Sequence, residues 1–128
     1  GEPQFSETVK PNGKVSDVGL ISSGYFMTIR GESRKLRTDS WPSHDVRTHQ
    51  MVDTDLQPGE WYTMKLSVVP EGNTAIVRGK LWKRGETEPQ QWTIEMVDER
   101  PNLSGSPGLY GHASDAEIFL DNLQVTPN

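Results

Sequence analysis

Residues 61–83 read WYTMKLSVVPEGNTAIVRGKLWK, and this stretch decides the fold. Two runs of alternating apolar and polar residues flank the tetrapeptide PEGN at 70–73, whose residue types favour a tight turn. Successive side chains of a strand point to opposite faces, so the alternation assigns each residue to a face. The first run places these residues on one face: Tyr62, Met64, Leu66 and Val68. The second run places two sets of residues on opposite faces: Ala75, Val77, Gly79 and Leu81 on one, and Ile76, Arg78, Lys80 and Trp82 on the other. We therefore predict a β-hairpin with one core face and one mostly polar face.

The same alternation continues on both sides of this hairpin. Residues 25–30 and 35–41 flank the turn residues 31–33 and predict a second hairpin. Further strands are predicted at 45–53, 92–98, 109–113 and 117–125. No run favours a helix of useful length, and the turn spacing predicts about nine strands in all. Two antiparallel sheets packed face to face satisfy this pattern, so we predict an all-β sandwich.

One irregularity is predicted near the end of the chain. The step Asp121-Asn122 interrupts the alternation between Leu120 and Leu123, which indicates a β-bulge. Asp and Asn side chains readily bond neighbouring backbone groups, so they suit such a position.

Length and composition limit the classes of function. The chain has 128 residues, enough for one core and a single domain spanning residues 1–128. Its formal net charge of -5 argues against a nucleic-acid partner, because nucleic-acid binders normally present a basic surface. It has no cysteine, which excludes disulfides, thiolate metal sites and cysteine nucleophiles. No stretch approaches the roughly 20 apolar residues of a transmembrane helix, so no membrane insertion is predicted. The chain begins at Gly1 without Met or a signal peptide, and we expect it to be excised from a larger protein.

A family resemblance rests on segments 61–66 (WYTMKL), 79–82 (GKLW), 88–94 (EPQQWTI), 105–111 (GSPGLYG) and 117–125 (EIFLDNLQV). In this order they resemble the concanavalin A-like jelly roll, in the laminin G-like and 3-keto-disaccharide-hydrolase-like group, over residues 15–126. The chain is most similar to the module at the C-terminus of bacterial exported proteins that carry a pyrroloquinoline-quinone-type β-propeller. The resemblance implies a jelly-roll sandwich of two antiparallel sheets, a periplasmic, cell-surface or extracellular location, and an accessory role. Because the chain is shorter than most jelly rolls of this group, we expect its N-terminal strand to be reduced or lost.

The acidic residues do not form a recognisable catalytic pair. A retaining glycosidase needs two carboxyl groups about 5 Å apart. Glu117 and Asp121 are four residues apart on a predicted strand, which separates them by roughly 13 Å. Glu88 precedes Pro89 in a loop of undefined spacing, and no Gly-x-Ser-x-Gly elbow is present. We predict that the chain is not an enzyme. If it were a glycoside-processing enzyme, Glu88, Glu117 and Asp121 would be the candidates.

The chain offers no recognisable metal-binding motif. Its histidines are His44, His49 and His112, and the first two are five residues apart, on opposite faces of a regular strand. Oxygen donors of the kind that calcium prefers occur near loops at Asp53, Asp55, Asp115, Asp121 and Asn122. None of them forms a known ligand run. We predict no cofactor, with a structural calcium ion as the alternative.

A ligand site is predicted on the polar strand faces, at Arg37, Trp41, Arg47, Lys80 and Trp82. Tryptophan rings stack on the apolar face of a sugar, while charged groups bond its hydroxyls. Positive charge on this face of an acidic protein would favour an acidic sugar. Carbohydrate binding is therefore the leading function, with docking of another domain of the same polypeptide as the alternative, since Trp and Arg also dominate protein interfaces. The competing interpretation is that these residues only pack and solubilise. Trp61 and Trp92 follow turns and are predicted to plug the core.

Overall fold

A computed structural model describes residues 4–31, 33–40, 48–57, 59–99 and 108–126, with backbone alone for 4–16 and 109–126. These residues form eight strands: β1 Gln4–Ser22, β2 Tyr25–Arg30, β3 Lys35–Ser40, β4 His49–Asp53, β5 Tyr62–Glu71, β6 Thr74–Lys83, β7 Ile94–Asp98 and β8 Gly108–Thr126. None of the described residues lies in a helix that is long and apolar enough to cross a membrane. Everything described is thus strand, turn or loop, in agreement with the predicted fold class.

The long strands β1 and β8 belong to two sheets at once. They pair with each other along most of their length. The first part of β1 also pairs with β5, whereas its last part pairs with β2. The first sheet therefore has the order β4-β3-β2-β1-β8 and the second the order β7-β6-β5-β1-β8. All pairs are antiparallel, and the two sheets face each other as a jelly-roll sandwich.

The core fills the space between the sheets. Its members are Val18, Leu20, Tyr25, Met27, Ile29, Leu36, Leu56, Tyr62, Met64, Leu66, Val68, Ala75, Val77, Ile94 and Met96. The apolar faces predicted for the central hairpin are thus the buried ones. Contacts across the core include a 3.6 Å hydrogen bond from Thr38 Oγ1 to Met96 Sδ. At Gly79 of β6, a Cβ would overlap the sulfur of Met27 on β2, so a larger residue there would displace the Met27 side chain.

Several strand predictions are confirmed and two are wrong. Both hairpins form, and Asn122 and Leu123 together oppose the single residue Glu7, which is the predicted bulge. The strands predicted at 109–113 and 117–125 are one continuous strand, because β1 pairs with the residues between them. The N-terminal strand is not lost, since β1 spans 19 residues.

Candidate functional site

The predicted site residues do not share one surface. Trp41 and Arg47 lie outside the described residues. Arg37 lies on the outward side of the first sheet, since its neighbours in sequence, Leu36 and Thr38, face the core. Lys80 and Trp82 lie on the outward side of the second sheet, opposite in direction to the core residues of β6. The single face predicted from the sequence is therefore divided between the two sides of the sandwich.

Three cations on the outward side of the first sheet, among the described side chains, are paired with carboxylates. Arg37 Nε donates to Asp39 Oδ1 at 2.5 Å, and this pair is mostly buried. Arg30 pairs with Asp17 at 3.4 Å, and Lys35 pairs with Asp53 at 3.6 Å. Each of these three cations thus has a carboxylate partner. The described side chains of this face therefore show no excess of positive charge around Arg37. The preference for an acidic sugar, which depended on that excess, loses its support here.

Lys80 anchors a loop instead of presenting a free charge. Its Nζ donates to Glu88 Oε2 at 3.0 Å and lies 4.7 Å from the centre of the Trp92 ring. Lys65 bonds the same Glu88 oxygen at 3.3 Å. The hydrogen bond from Lys80 is the main reason that the pKa of Glu88 is lowered, while partial burial opposes the shift. Glu88 is therefore held ionised, which makes it a poor general acid at neutral pH.

The two tryptophans predicted to plug the core are not part of it. Trp61 and Trp92 are both half-buried outside the core. The Arg84 guanidinium lies 5.3 Å from the centre of the Trp61 ring, and Lys80 covers Trp92. Both rings therefore hold cations against the outside of the sandwich, an arrangement that stabilises both partners.

A concave site occurs where the edges of the two sheets meet. We call it the edge pocket. It has a volume of about 280 Å³ and is lined by Asp53, Thr54, Asp55, Leu56, Tyr62, Leu81, Trp82, Lys83, Glu86 and Thr93. Among the predicted ligand residues that the structure describes, Trp82 lines it, whereas Arg37 and Lys80 do not.

The edge pocket exists because β7 is shorter than β6. The two strands pair only as far as Gly79 and Ile94. Just before β7, Thr93 Oγ1 accepts a 3.1 Å hydrogen bond from the Leu81 backbone N–H. This side-chain bond takes the place of a backbone bond between β6 and a longer β7. Glu86 N–H donates to the Lys83 carbonyl and closes a turn that leads the chain away from the sheet. The last residues of β6 are thus left beside a cleft.

The opposite wall is the connection between β4 and β5. Leu56, in this connection, and Tyr62, at the start of β5, are almost fully buried and form the apolar floor of the pocket. The Tyr62 hydroxyl accepts a 2.7 Å hydrogen bond from the Gln57 backbone N–H. Thr54 binds the Arg34 carbonyl through both its N–H, at 3.1 Å, and its hydroxyl, at 2.7 Å. Both walls are therefore held by hydrogen bonds that need no ligand.

Carboxylates dominate the rim. Asp53, Asp55 and Glu86 line the pocket, and all three residues are exposed. Asp53 pairs with Lys35, whereas no ion pair involves Asp55 or Glu86 in the part of the chain that the structure describes. That part also contains no group of three acidic or histidine residues able to hold a metal ion. Of the predicted calcium donors, Asp53 and Asp55 line the pocket, and the others lie on β8, where only the backbone is described.

Comparison with known proteins identifies the fold. No protein-family model and no curated protein matches the chain. Among solved structures, the galectin LEC-6 of Caenorhabditis elegans superposes with a TM-score of 0.65 at 10% identity, over 98% of this chain and 83% of that one. The carbohydrate-binding module CBM66 of Bacillus subtilis superposes with a TM-score of 0.68 at 12% identity, over 97% and 74%. The chain is a concanavalin A-like jelly roll.

The sequence predicts only part of the lining of the edge pocket. It names Trp82 as a ligand residue and Asp55 as a calcium donor, whereas Tyr62, Glu86 and Thr93 are not assigned to any site. The signal that could have found Glu86 and Thr93 is the unequal length of β6 and β7. The loop at 84–93 follows the longer strand and precedes the shorter one, so its residues border the unpaired end of β6.

Proposed function

We propose that this chain is a non-catalytic carbohydrate-binding module that holds one sugar unit in the edge pocket. The observation that carries the proposal is the pocket itself, which joins an apolar floor to a rim of carboxylates. A sugar ring has apolar C–H surfaces and hydroxyls that both donate and accept hydrogen bonds, so it matches such a lining. The volume, about 280 Å³, lies just below the range of roughly 300–1,000 Å³ that suits drug-sized ligands. A single ring is the size of ligand that fits.

Three of the lining residues contact the sugar in this proposal. Trp82 supplies apolar ring surface for the sugar, while Asp55 and Glu86 accept hydrogen bonds from its hydroxyls. Lys80 does not touch the ligand. It holds Glu88, and so keeps the loop that carries Glu86 against the sheet. The similarity in fold to a protein whose name is carbohydrate-binding module adds support.

The absence of catalysis is part of the proposal. Glu88, the candidate acid whose side chain the structure describes, is ion-paired with two lysines and has a lowered pKa. From the resemblance in sequence we also propose that the module serves an exported bacterial protein beside a β-propeller. The full-length gene product tests this context, because a signal peptide and a neighbouring propeller would have to be present.

A glycan array followed by titration tests the binding function. We expect Trp82→Ala to weaken binding of the sugar by about 1–3 kcal/mol, the scale of a lost large apolar contact, while the fold is retained. The matched control is Trp61→Ala, which removes a half-buried tryptophan that does not line the pocket. Equal losses in both variants would contradict a site at Trp82. Binding of a neighbouring domain with no glycan bound would instead favour the docking alternative.

A further inference from the structure

Residues 84–93, which carry one wall of the edge pocket, run across the outward side of the second sheet. We call this segment the strap. Its first residue is fixed beside β5, where the Arg84 backbone N–H donates a 2.9 Å hydrogen bond to the Trp61 carbonyl. Its last residue is fixed to β6, where the Thr93 backbone N–H donates a 2.8 Å hydrogen bond to the Gly79 carbonyl. Both ends of the strap are therefore anchored by the backbone.

One carboxylate holds the middle of the strap. Glu88 Oε2 accepts hydrogen bonds from Lys80 Nζ at 3.0 Å and from Lys65 Nζ at 3.3 Å, so it joins the strap to β6 and β5. Glu86, two residues earlier, lines the pocket. Gly85 has a φ of +92°, and nothing lies within 4 Å of where its Cβ would be, so the chain is free to turn there. Release of Glu88 would thus let the pocket wall swing outward about Gly85.

The charge of Glu88 matters because Lys80 is almost fully buried. The Lys80 side chain is 8% exposed, whereas the Glu88 side chain is 42% exposed. Loss of the carboxylate charge leaves a buried cation without a counter-charge, which is destabilising. The Trp92 ring, 4.7 Å from Lys80 Nζ, attracts the cation but does not neutralise it. Hydration of Lys80 then favours a strap that has lifted off the sheet.

Building on the proposed function, we propose that the strap is an acid-sensitive latch on the edge pocket, which weakens binding of the sugar when Glu88 is protonated. The charged groups that face Glu88 are Lys65 of β5 and Lys80 of β6, and both favour its ionised form. The other charged residues of the strap are Arg84 and Glu86. The hydrogen bond from Lys80 is the main cause of the lowered pKa of Glu88, so the closed strap is stabilised above pH 4.5. This stabilisation is lost as the pH falls through the lowered pKa.

Limited digestion by trypsin at neutral pH tests the latch without a ligand. Trypsin cleaves after Arg84 when the strap opens, and Glu88→Gln removes the carboxylate charge without a change of pH. We expect Glu88→Gln to be cleaved there about 2–5 times faster than wild type, the range of one partly exposed ion pair. The matched control is Glu95→Gln, which breaks the 2.7 Å ion pair to the more exposed Arg78 on the same face and should leave this rate unchanged.

Two outcomes of the digestion contradict the latch. One is cleavage of Glu88→Gln at the wild-type rate. The other is an equal rise in cleavage after Arg34, an exposed residue of the turn between β2 and β3, because global unfolding would then be the cause. The double variant Lys80→Met with Glu88→Gln tests the buried charge. Since apolar residues of similar size can replace a buried ion pair, it should be cleaved after Arg84 at the wild-type rate, and fast cleavage would contradict the mechanism.

Hydrogen exchange measures the response to acid. Below pH 4.5 the amides of residues 85–92 should lose protection in wild type, whereas in Glu88→Gln their protection should be low at every pH. Protection in wild type that does not change with pH overturns the acid response.

A glycan array at neutral pH tests the coupling to the pocket. We expect Glu88→Gln to bind the glycans of wild type more weakly, by up to about 5-fold, and Glu95→Gln to bind them equally. If Glu88→Gln opens the strap in the digestion yet binds glycans as wild type does, the regulation is wrong and the carbohydrate function stands. If wild type binds no glycan, the proposed function fails together with the regulation, and the digestion still decides whether Glu88 holds the strap.

Discussion

The Tyr25 hydroxyl donates a 2.7 Å hydrogen bond to Oδ2 of Asp98 and thereby links β2 of the first sheet to β7 of the second. Both residues are buried, with Asp98 only 3% exposed. A buried carboxylate is tolerated when donors satisfy it, so this bond helps to hold the two sheets together at one side of the core.

Removing this hydroxyl should destabilise the sandwich. We expect Tyr25→Phe to lower the free energy of unfolding by about 1.5–3 kcal/mol, the range for a hydrogen bond to a charged group. Denaturation by urea measures the change, and Asp98→Asn combined with Tyr25→Phe tests whether the two residues are coupled. An unchanged free energy of unfolding in Tyr25→Phe would show that the bond contributes nothing.

The glycine at position 79 is predicted to be required by the packing of the sheets. In Gly79→Ala the new Cβ would overlap the Met27 sulfur and lie 2.9 Å from Cγ2 of Ile94. Overpacking of a core costs about 1–3 kcal/mol, so we expect a loss of stability in that range. The double variant Met27→Ala with Gly79→Ala should lose less than the sum of its single variants, because the smaller residue makes room. Strict additivity in thermal denaturation would argue against this contact.

The ion pairs of Glu88 should make stability depend on pH. The pKa of Glu88 is lowered from 4.5 in the folded chain, mainly by the hydrogen bond from Lys80. The contribution of ionised Glu88 to the free energy of unfolding is therefore fully present above pH 4.5. It is lost as the pH falls through the lowered pKa of the folded chain. Because the Glu88 side chain is 42% exposed, solvent screening limits the contribution to about 1 kcal/mol or less.

The comparison that measures this contribution is wild type against Glu88→Gln. Their difference in the free energy of unfolding should be largest near neutral pH and vanish in acid. Glu71→Gln, at the exposed end of β5, is the control and should show no such dependence. A difference that persists unchanged into acid would rule out the ion pairs as its cause.

Removal of divalent cations is expected to have no effect on stability. This expectation follows from the sequence, in which none of the oxygen donors forms a known calcium-ligand run. A bound cation would stabilise the folded state in proportion to its occupancy, so stripping it would lower Tm. Thermal denaturation with and without EDTA checks this. If EDTA lowers the Tm and added calcium restores it, the chain binds a structural calcium ion.

The sequence predicts the fold wherever local alternation decides it. β5 and β6 were recovered because their apolar residues recur at every second position up to the turn at 70–73. β1 was missed because Pro11-Asn12-Gly13 has turn-forming residue types, yet these residues pair with β8. Long-range pairing there overrides the local preference.

The site was predicted less completely, for a related reason. Alternation correctly placed Lys80 and Trp82 on the outward side of β6. It does not reveal that Glu88 and Trp92 fold back over Lys80, nor that Asp55 and Glu86 line one cleft. These proximities depend on where loops from different strands meet, which no local pattern encodes.

The shared ladder of β1 and β8 also constrains the order of folding. It pairs Gln4 with Thr126 in the second sheet and Ile21 with Gly108 in the first, so residues far apart in the sequence are neighbours in each sheet. Contacts of such large sequence separation raise the loop-closure entropy that must be overcome before they form, and they slow folding. Neither sheet is complete until the last strand has arrived. On the ribosome the chain can therefore reach its native state only after β8 has emerged, and until then the edge of β1 that pairs with β8 remains exposed to the wrong partners.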